Sequence, residues 1–529
     1  MLKHLVILAF SLSVWLVDNP APAAEPDPRA STRQLIVRLK DDGLRRIQAV
    51  RSDDTVPELS LSDGRPLSFV RQFNGSGVVV SLPADVSLEE AQRIAEELAA
   101  NPLVASAQAD KRMYPALIPD DPLFLPDPDR VRFPDGQWHL FEDTAGIRMQ
   151  GGWDRETGSA NIVIAQLDTG IVPHRDLDPA RILAGYDLIS DADTANDGDG
   201  RDPDPADPGD ATVDDECGAG VPGEASSWHG LAVAGVMVAE SNNAVDIAGI
   251  DFAARLLPVR VLGKCGGAVS DVIDAIRWAA GLPVAGVPDN PTPARVINLS
   301  LSGDGDCSLE EQAAINDAVN AGAVVVVAAG NAATDVADIS PANCDNVVTV
   351  GAVGRDGSRA SYMNLGEEVD LSGPGGDGEG ATADGILTLF NSGSTAPAAD
   401  RLAEIQGTSF TTAQTSAVTA LMWAAGSEAG VALNPGMIQE ILRRTARAFP
   451  DSSCNPSLCG QGILNADAAL AGAVDPASVL GAATNPGDGG GGCVLVSKGS
   501  SRFDPVFVLL LLTAGFYLRA HRSSGGSGE

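Results

Sequence analysis

"AVVVVAAGN", residues Ala323 to Asn331, decides the fold. From Ala323 to Ala329 no alternate position is polar, so a strand here must be buried on both faces. The same texture recurs in "NIVIAQLDTG" (Asn161–Gly170), "ARLLPVRVL" (Ala254–Leu262), "ARVINLSLS" (Ala294–Ser302) and "NVVTVGAVG" (Asn346–Gly354). Helical patterns lie among them: "SSWHGLAVAGVMVAE" from Ser226, "SDVIDAIRWAAGL" from Ser270, "SLEEQAAINDAVNAG" from Ser308 and "NPGMIQEILRRTARAF" from Asn434. Buried strands alternating with helices predict an α/β domain over 119–475, with a doubly wound, mostly parallel sheet flanked by helices. Ligands of such sheets sit beyond the carboxyl ends of the strands. Asp168 and Asn331 stand at two of those ends.

A second stretch, "EIQGTSFTTAQTSAVTALMW" (Glu404–Trp423), places Ser409 between a glycine and what reads as a buried helix. A serine there is either a helix cap or a nucleophile. A nucleophilic hydroxyl needs a base, usually histidine, which a carboxylate orients. The chain has five histidines. His4 and His521 lie in the terminal segments, His139 in a Pro-rich lead-in and His174 shortly after Asp168. His229 opens a small-residue helix beside Gly230, which leaves room for the ring over a cleft. Asp168 ends an apolar strand, where a carboxylate is costly unless it is bonded. Asn331 offers an amide for a developing oxyanion, and the Ser409 N–H a second donor. Each residue alone also has a plain reading as a cap, a turn or a packing group.

The order Asp168, His229, Asn331, Ser409, each in its local setting, resembles the subtilisin-like serine proteases. The matching pieces are "AQLDTGIVPHRDL", "WHGLAVAGVM", "VINLSLSG", "VVVAAGN", "GTSFTTAQTSAVTALMW" and the closing "GQGILNADAAL". Departures are Leu231 where the family has Thr, and Phe410, Thr411 and Ala413 where it often has Met, Ala and Pro. The resemblance implies a serine endopeptidase acting on proteins or peptides, with Asp168, His229, Ser409 and Asn331 as its catalytic residues. It implies substrate contacts at Ser300, Leu301, Ser302 and Gly303, and at Ala328, Ala329 and Gly330. It implies a monomer that needs no cofactor for catalysis but holds structural Ca²⁺, with ligands left unassigned. Residues 25–118 resemble the family's inhibitory propeptide, cut off between Lys111 and Asp120. Two alternatives stand beside this reading: a surface binding protein on the same scaffold with weak activity, and an acid peptidase that joins Glu and Asp to its Ser.

The ends of the chain point to export. Residues 1–23 have a basic start, an apolar run from Leu5 to Val17 and an Ala-Pro-Ala site, as a secretory signal does. Next come the strands "RQLIVRLK" (Arg33–Lys40) and "SGVVVSLP" (Ser76–Pro83), a helical stretch near Gly43–Val50, a helix capped by Ser87 and the strand "PLVASAQAD". They predict a small α+β module. A Gly/Pro-rich linker spans 476–492. Residues 493–529 hold Cys493, a short apolar run from Val506 to Leu518 and a basic end, a pattern similar to bacterial sorting signals. That tail is expected to meet a membrane or a sorting peptidase, which gives an extracellular or cell-surface location. Seven cysteines in an oxidising environment allow pairing, and neighbours give Cys217–Cys265, Cys307–Cys344 and Cys454–Cys459. With 35 basic against 71 acidic residues and a net charge of −36, the chain should repel nucleic acid and anionic membrane surfaces. The acidic segment Ser190–Cys217 has oxygen donors suited to Ca²⁺ but no EF-hand spacing. It reads equally as a solvated loop.

Overall fold

A computed structural model of the chain describes residues 31–40, 54–59, 61–73, 76–111, 117–377 and 384–481. The expected signal, the helical stretch near Gly43–Val50, and the tail with Cys493 lie outside the described residues. The chain divides into two units, Met1–Pro115 and Ala116–Glu529.

In the first unit, strands β1 (Ser31–Leu39), β2 (Ser68–Phe73), β3 (Gly77–Ser87) and β4 (Val104–Ala109) form one sheet in the order β2-β3-β1-β4. The pairs are antiparallel, with Ile36 opposite both Val79 and Gln108. Helix α1 (Leu88–Ala99) starts at Ser87, whose hydroxyl accepts the Glu90 N–H. Its apolar face buries Ala91, Ile94, Ala95 and Leu98 with Leu35, Val37, Val78 and Val80, giving the unit its own core. The strand β2 was not read from the sequence, because only Phe69, Val70 and Phe73 mark it.

The second unit is built on a seven-stranded sheet. Its strands are β5 (Val163–Asp168), β6 (Tyr186–Asp187), β7 (Arg255–Arg260), β8 (Val296–Leu299), β10 (Val324–Ala328), β12 (Val347–Val353) and β13 (Leu371–Pro374). The order is β13-β12-β10-β8-β5-β7-β6, and every pair is parallel. The expected α/β, mostly parallel sheet is therefore the observed one. All residues of β5, β8, β10 and β12 are buried, as their unbroken apolar runs require. From β5 the chain goes to the edge strand β6 and returns to β7, then crosses to the other side of β5 to add β8, β10, β12 and β13 in turn. The reversal puts a crevice at the carboxyl ends of β5 and β8. Two short strands, β9 (Gly303–Asp304) and β11 (Ile339–Ser340), pair beside it, and the hairpin β14 (Ile386–Asn391) and β15 (Asp400–Ile405) stands apart.

Helices α2 (His229–Val238), α3 (Val269–Ala279), α4 (Leu309–Asn320), α5 (Thr408–Glu428) and α6 (Pro435–Thr445) flank the sheet. Helix α4 has a full capping box between Ser308 and Glu311. Helix α5 is buried from Thr408 to Gly426 although it carries many hydroxyls. Thr411 and Thr412 bond the Thr408 carbonyl, Thr415 bonds that of Thr411, and Ser416 reaches Asn298 at 2.9 Å. These hydroxyls find acceptors, which is what makes their burial tolerable, whereas the buried Thr419 Oγ1 has no hydrogen-bond partner. Cysteines pair as Cys217–Cys265, Cys307–Cys344 and Cys454–Cys459, the neighbour pairing expected. Among the described residues no helix is long and apolar enough to cross a membrane.

His139, in the short helix Trp138–Phe141, is 1% exposed and its Nδ1 has no partner. Burial pushes it down to about 3, so the folded protein holds it neutral. Between its ordinary 6.5 and about 3, only the unfolded chain takes the proton. Stability should therefore fall as pH drops through that window, by up to about 1.4 kcal/mol per pH unit from this group. Urea denaturation of wild type and His139→Gln between these limits tests this. The variant should lose that part of the slope.

Candidate active site

Asp168 ends β5 at the crevice, 1% exposed. Its Oδ1 lies 2.7 Å from Nδ1 of His229, the first residue of α2, and also accepts the Thr169 N–H at 2.8 Å. The two meet because α2 starts almost in contact with the turn after β5. A Cβ on Gly230 would stand 2.0 Å from the Gly170 carbonyl oxygen. Gln166 holds the Gly230 carbonyl at 2.6 Å, and Thr169 Oγ1 accepts the Gly230 N–H at 3.0 Å. Farther along α2, a Cβ on Gly235 would lie 2.5 Å from Thr388 Oγ1 on β14. The small-residue helix thus fits between β5 and the hairpin.

The His229 side chain is 27% exposed. Burial works against its charge, but the Asp168 charge and hydrogen bond outweigh burial, with smaller help from Asp210 and Asp207. The ring is held above its ordinary 6.5. With its proton on Nδ1 toward Asp168, the neutral ring presents Nε2 as an acceptor.

Ser409 stands in the first turn of α5, 7% exposed. The neighbouring Phe410 ring lies 6.3 Å from the His229 ring. Ser409 Oγ donates to the Ser300 carbonyl at 3.2 Å, and Ser300 Oγ returns a bond to the Ser409 carbonyl at 2.9 Å. Asn331 follows β10 and is exposed. Its Oδ1 accepts the Thr408 N–H at 3.0 Å and the Thr408 hydroxyl at 2.9 Å, which fixes the amide plane. Gly407 has φ +151°, and a Cβ on it would lie 3.5 Å from Asn331 Nδ2 and 3.8 Å from the Ser409 nitrogen. Two N–H donors therefore border one small space that glycine keeps open.

The expected substrate contacts divide by exposure. Ser302 and Gly303 are exposed and Leu301 is half-buried. Ser300, Ala328, Ala329 and Gly330 are buried, and Ser300 bonds α5. His174 is not beside the Asp168–His229 pair. Its Nε2 faces the Arg401 carbonyl at 3.3 Å and its Nδ1 takes the Asp176 N–H at 3.2 Å. Leu231 and Phe410 are 1% exposed and Thr411 and Ala413 0%, so all four departures pack inward. Sequence reasoning missed Thr408 as the anchor of Asn331, although the Gly-Thr-Ser spacing was in view. Among the described residues no group of three or more His, Cys, Asp or Glu is arranged to hold a metal.

The Subtilase family model matches residues 159–469. An extracellular protease of Xanthomonas campestris is 45% identical over 394 residues, which are 74% of this chain and 64% of that protein. The chain thus spans less than two thirds of that relative. An extracellular basic protease of Dichelobacter nodosus is 36% identical over 458 residues, 85% of this chain and 72% of the relative. A solved protease structure from Pseudoalteromonas arctica has a TM-score of 0.62 and 46% identity, covering 67% of this chain and 99% of its own.

Gly230→Ala should lower stability by more than about 2 kcal/mol, since backbone and not a flexible side chain stands in the way. Urea midpoints measure this. A variant as stable as wild type would mean that α2 does not need the close approach.

Proposed function

The chain belongs to the subtilase family, and on that premise we propose a secreted serine endopeptidase that works through an acyl-enzyme. The observation that carries the reading is the 2.7 Å contact of His229 Nδ1 with the buried Asp168 carboxylate. Asp168 fixes the tautomer and steadies the imidazolium that forms. Ser409 turns about Cα–Cβ from the Ser300 carbonyl toward His229 Nε2, gives up its proton and attacks the peptide carbonyl. The bond from Oγ to that carbon forms as the carbonyl π pair moves onto oxygen. Asn331 Nδ2 and the Ser409 N–H bind the oxyanion, a role that the fixed Asn331 amide supports. His229 then passes its proton to the leaving amine, and water, deprotonated by the same ring, releases the acyl group.

The substrate is a protein or peptide that lies as a strand beside Asn298–Gly303, with exposed Ser302 and Gly303 at its edge. A Cβ on Gly303 would meet no atom within 4 Å, which supports open space there. The enzyme acts as a monomer. Residues 1–23 direct export, 25–118 inhibit the enzyme until removed, and 493–529 attach it to the surface or are cut as a sorting signal. The self-contained core of the first unit supports the propeptide assignment.

Structural Ca²⁺ belongs to the same proposal, with its ligands unassigned. Millimolar Ca²⁺ should raise the Tm of the protein above its value in EDTA; equal values would exclude it.

Ser409→Ala should keep residues 25–118, whereas the wild type should lose them, as intact mass reports. Asn331→Ala should lower kcat by about 10²–10³, the usual cost of one oxyanion donor. Peptide cleavage should fail as pH drops through the His229 midpoint, which stands above 6.5 because its charged form is favoured. Full activity in Ser409→Ala would sink the reading.

A further inference from the structure

Helix α2 begins with a residue that does not cap it. Trp228 stands at the N-cap with φ 48° and makes no side-chain capping bond. Its indole N–H goes instead to the Gly393 carbonyl at 2.7 Å. The first N–H groups of a helix have no acceptor within it. Here two hydroxyls from outside the helix take them. The His229 N–H donates to Ser227 Oγ at 3.3 Å, and the Gly230 N–H to Thr169 Oγ1 at 3.0 Å.

Each hydroxyl in turn donates a hydrogen bond to a carboxylate of the acidic segment. Ser227 Oγ donates to Asp210 Oδ2 at 2.6 Å, and Asp210 Oδ1 also accepts the Ser227 N–H at 2.7 Å. Thr169 Oγ1 donates to Asp207 Oδ2 at 2.8 Å, and Asp207 Oδ1 accepts the Gly209 N–H at 2.8 Å. Asp207 is 2% exposed. The segment is laid along the turn after β5 by backbone bonds from Ile171 to Pro205 and from Asp207 to Ile171.

We propose that Asp207 and Asp210 are positioning residues for His229: through Thr169 and Ser227 they fix the peptide units on either side of it, and their charges favour its protonated ring beyond what Asp168 supplies. The proposal rests on His229 being the base of the reaction described above. The charged groups around the ring are few. Asp168 on β5 bonds it, and Asp207 and Asp210 stand behind it on the acidic segment. Arg260 on β7 places its Nε on the Thr169 carbonyl at 3.1 Å and its Nη1 on Asp187 and Asp197, and its charge acts on Asp207, favouring the ionised carboxylate there. Helix α5 brings only the uncharged Ser409 and Phe410. The raised position of His229 agrees in direction, with Asp210 and Asp207 adding to Asp168. Asp207 is itself pushed up to about 6 by burial, so it carries its full charge only above that pH.

The test is an NMR titration of the His229 ring in the full chain carrying Ser409→Ala, alone and with Asp207→Asn, Asp210→Asn or both. The His229 signal is assigned from a His229→Gln spectrum. The midpoint should fall by roughly half a pH unit in each single variant and further in the double variant. With Ser409 restored, the acid limb of kcat/KM should move the same way, which loss of packing alone would not produce. An unmoved midpoint in folded Asp210→Asn overturns the proposal. That variant suffices if Asp207→Asn fails to fold, because the Asp210 bonds end on exposed Ser227. A shifted midpoint in a chain that cleaves no peptide would sustain this inference and defeat the protease reading. An active wild type whose midpoint ignores both carboxylates would do the reverse.

Discussion

The start of α2 can sit on the end of β5 only because Gly230 has no side chain. A Cβ there would stand 2.0 Å from the Gly170 oxygen. Everything at the crevice follows from that approach. It brings the His229 ring to Asp168, gives Gln166 the Gly230 carbonyl, and gives Thr169 the Gly230 N–H. A single missing methyl group thus converts two elements from distant parts of the sequence into one hydrogen-bonded unit. The sheet supplies the other half of the geometry. Its winding reverses between β5 and β8, so the polar ends of β5, β8 and β10 open on the same side.

The second feature is a long helix that is buried without being apolar. Helix α5 holds Thr411, Thr412, Gln414, Thr415 and Ser416 in the core by giving each an acceptor, on its own preceding turn or on Asn298 and Pro374. This pins the helix in rotation as well as in depth. Its first turn then holds Asn331 through Thr408 and presents Ser409 beside Ser300. An apolar helix of the same size would pack as tightly but would be freer to slide, because dispersion has little directional preference and hydrogen bonds have much.

Much of this was legible in the sequence, and for a clear reason. The strands of the parallel sheet are buried on both faces, so their apolar runs leave no ambiguity, and the polar residues that close them stand out. Asp168 and Asn331 were visible as polar groups that close apolar strands and His229 as one that opens an apolar helix, whereas Ser409, among the hydroxyls of α5, stood out only through its Gly-Thr-Ser setting and those partners. The parts that escaped are those whose cause lies elsewhere in the chain. Strands β2 and β15 are largely half-buried or exposed and lack a strong local period, and the buried β14 is paired only with β15. Ser300 reads as a substrate contact from its position but is drawn inward by the Ser409 carbonyl. The acidic segment read as either a solvated loop or a cation site. Asp207 and Asp197 instead bond Thr169 and Arg260, contacts 38 and 63 residues apart in sequence. No local pattern encodes such partners.

The same acidic segment has a bearing on survival. Asp197, Asp202, Asp204 and Asp207 each accept the N–H two residues on, and prolines 203, 205 and 208 alternate with them. The side-chain turns therefore occupy the N–H groups of residues 199, 204, 206 and 209, and the prolines have none, so the segment offers few free donors to a β-ladder. An enzyme of the kind proposed, binding its substrates as strands, would have to break those turns before it could pair with such a chain. A long surface segment would ordinarily be the first place a secreted protease digests its own copies. Under the proposed function, the turn that carries Asp207 to Thr169 would also make the segment a poor substrate for neighbouring copies, so that one set of residues would serve both lifetime in solution and the alignment of His229.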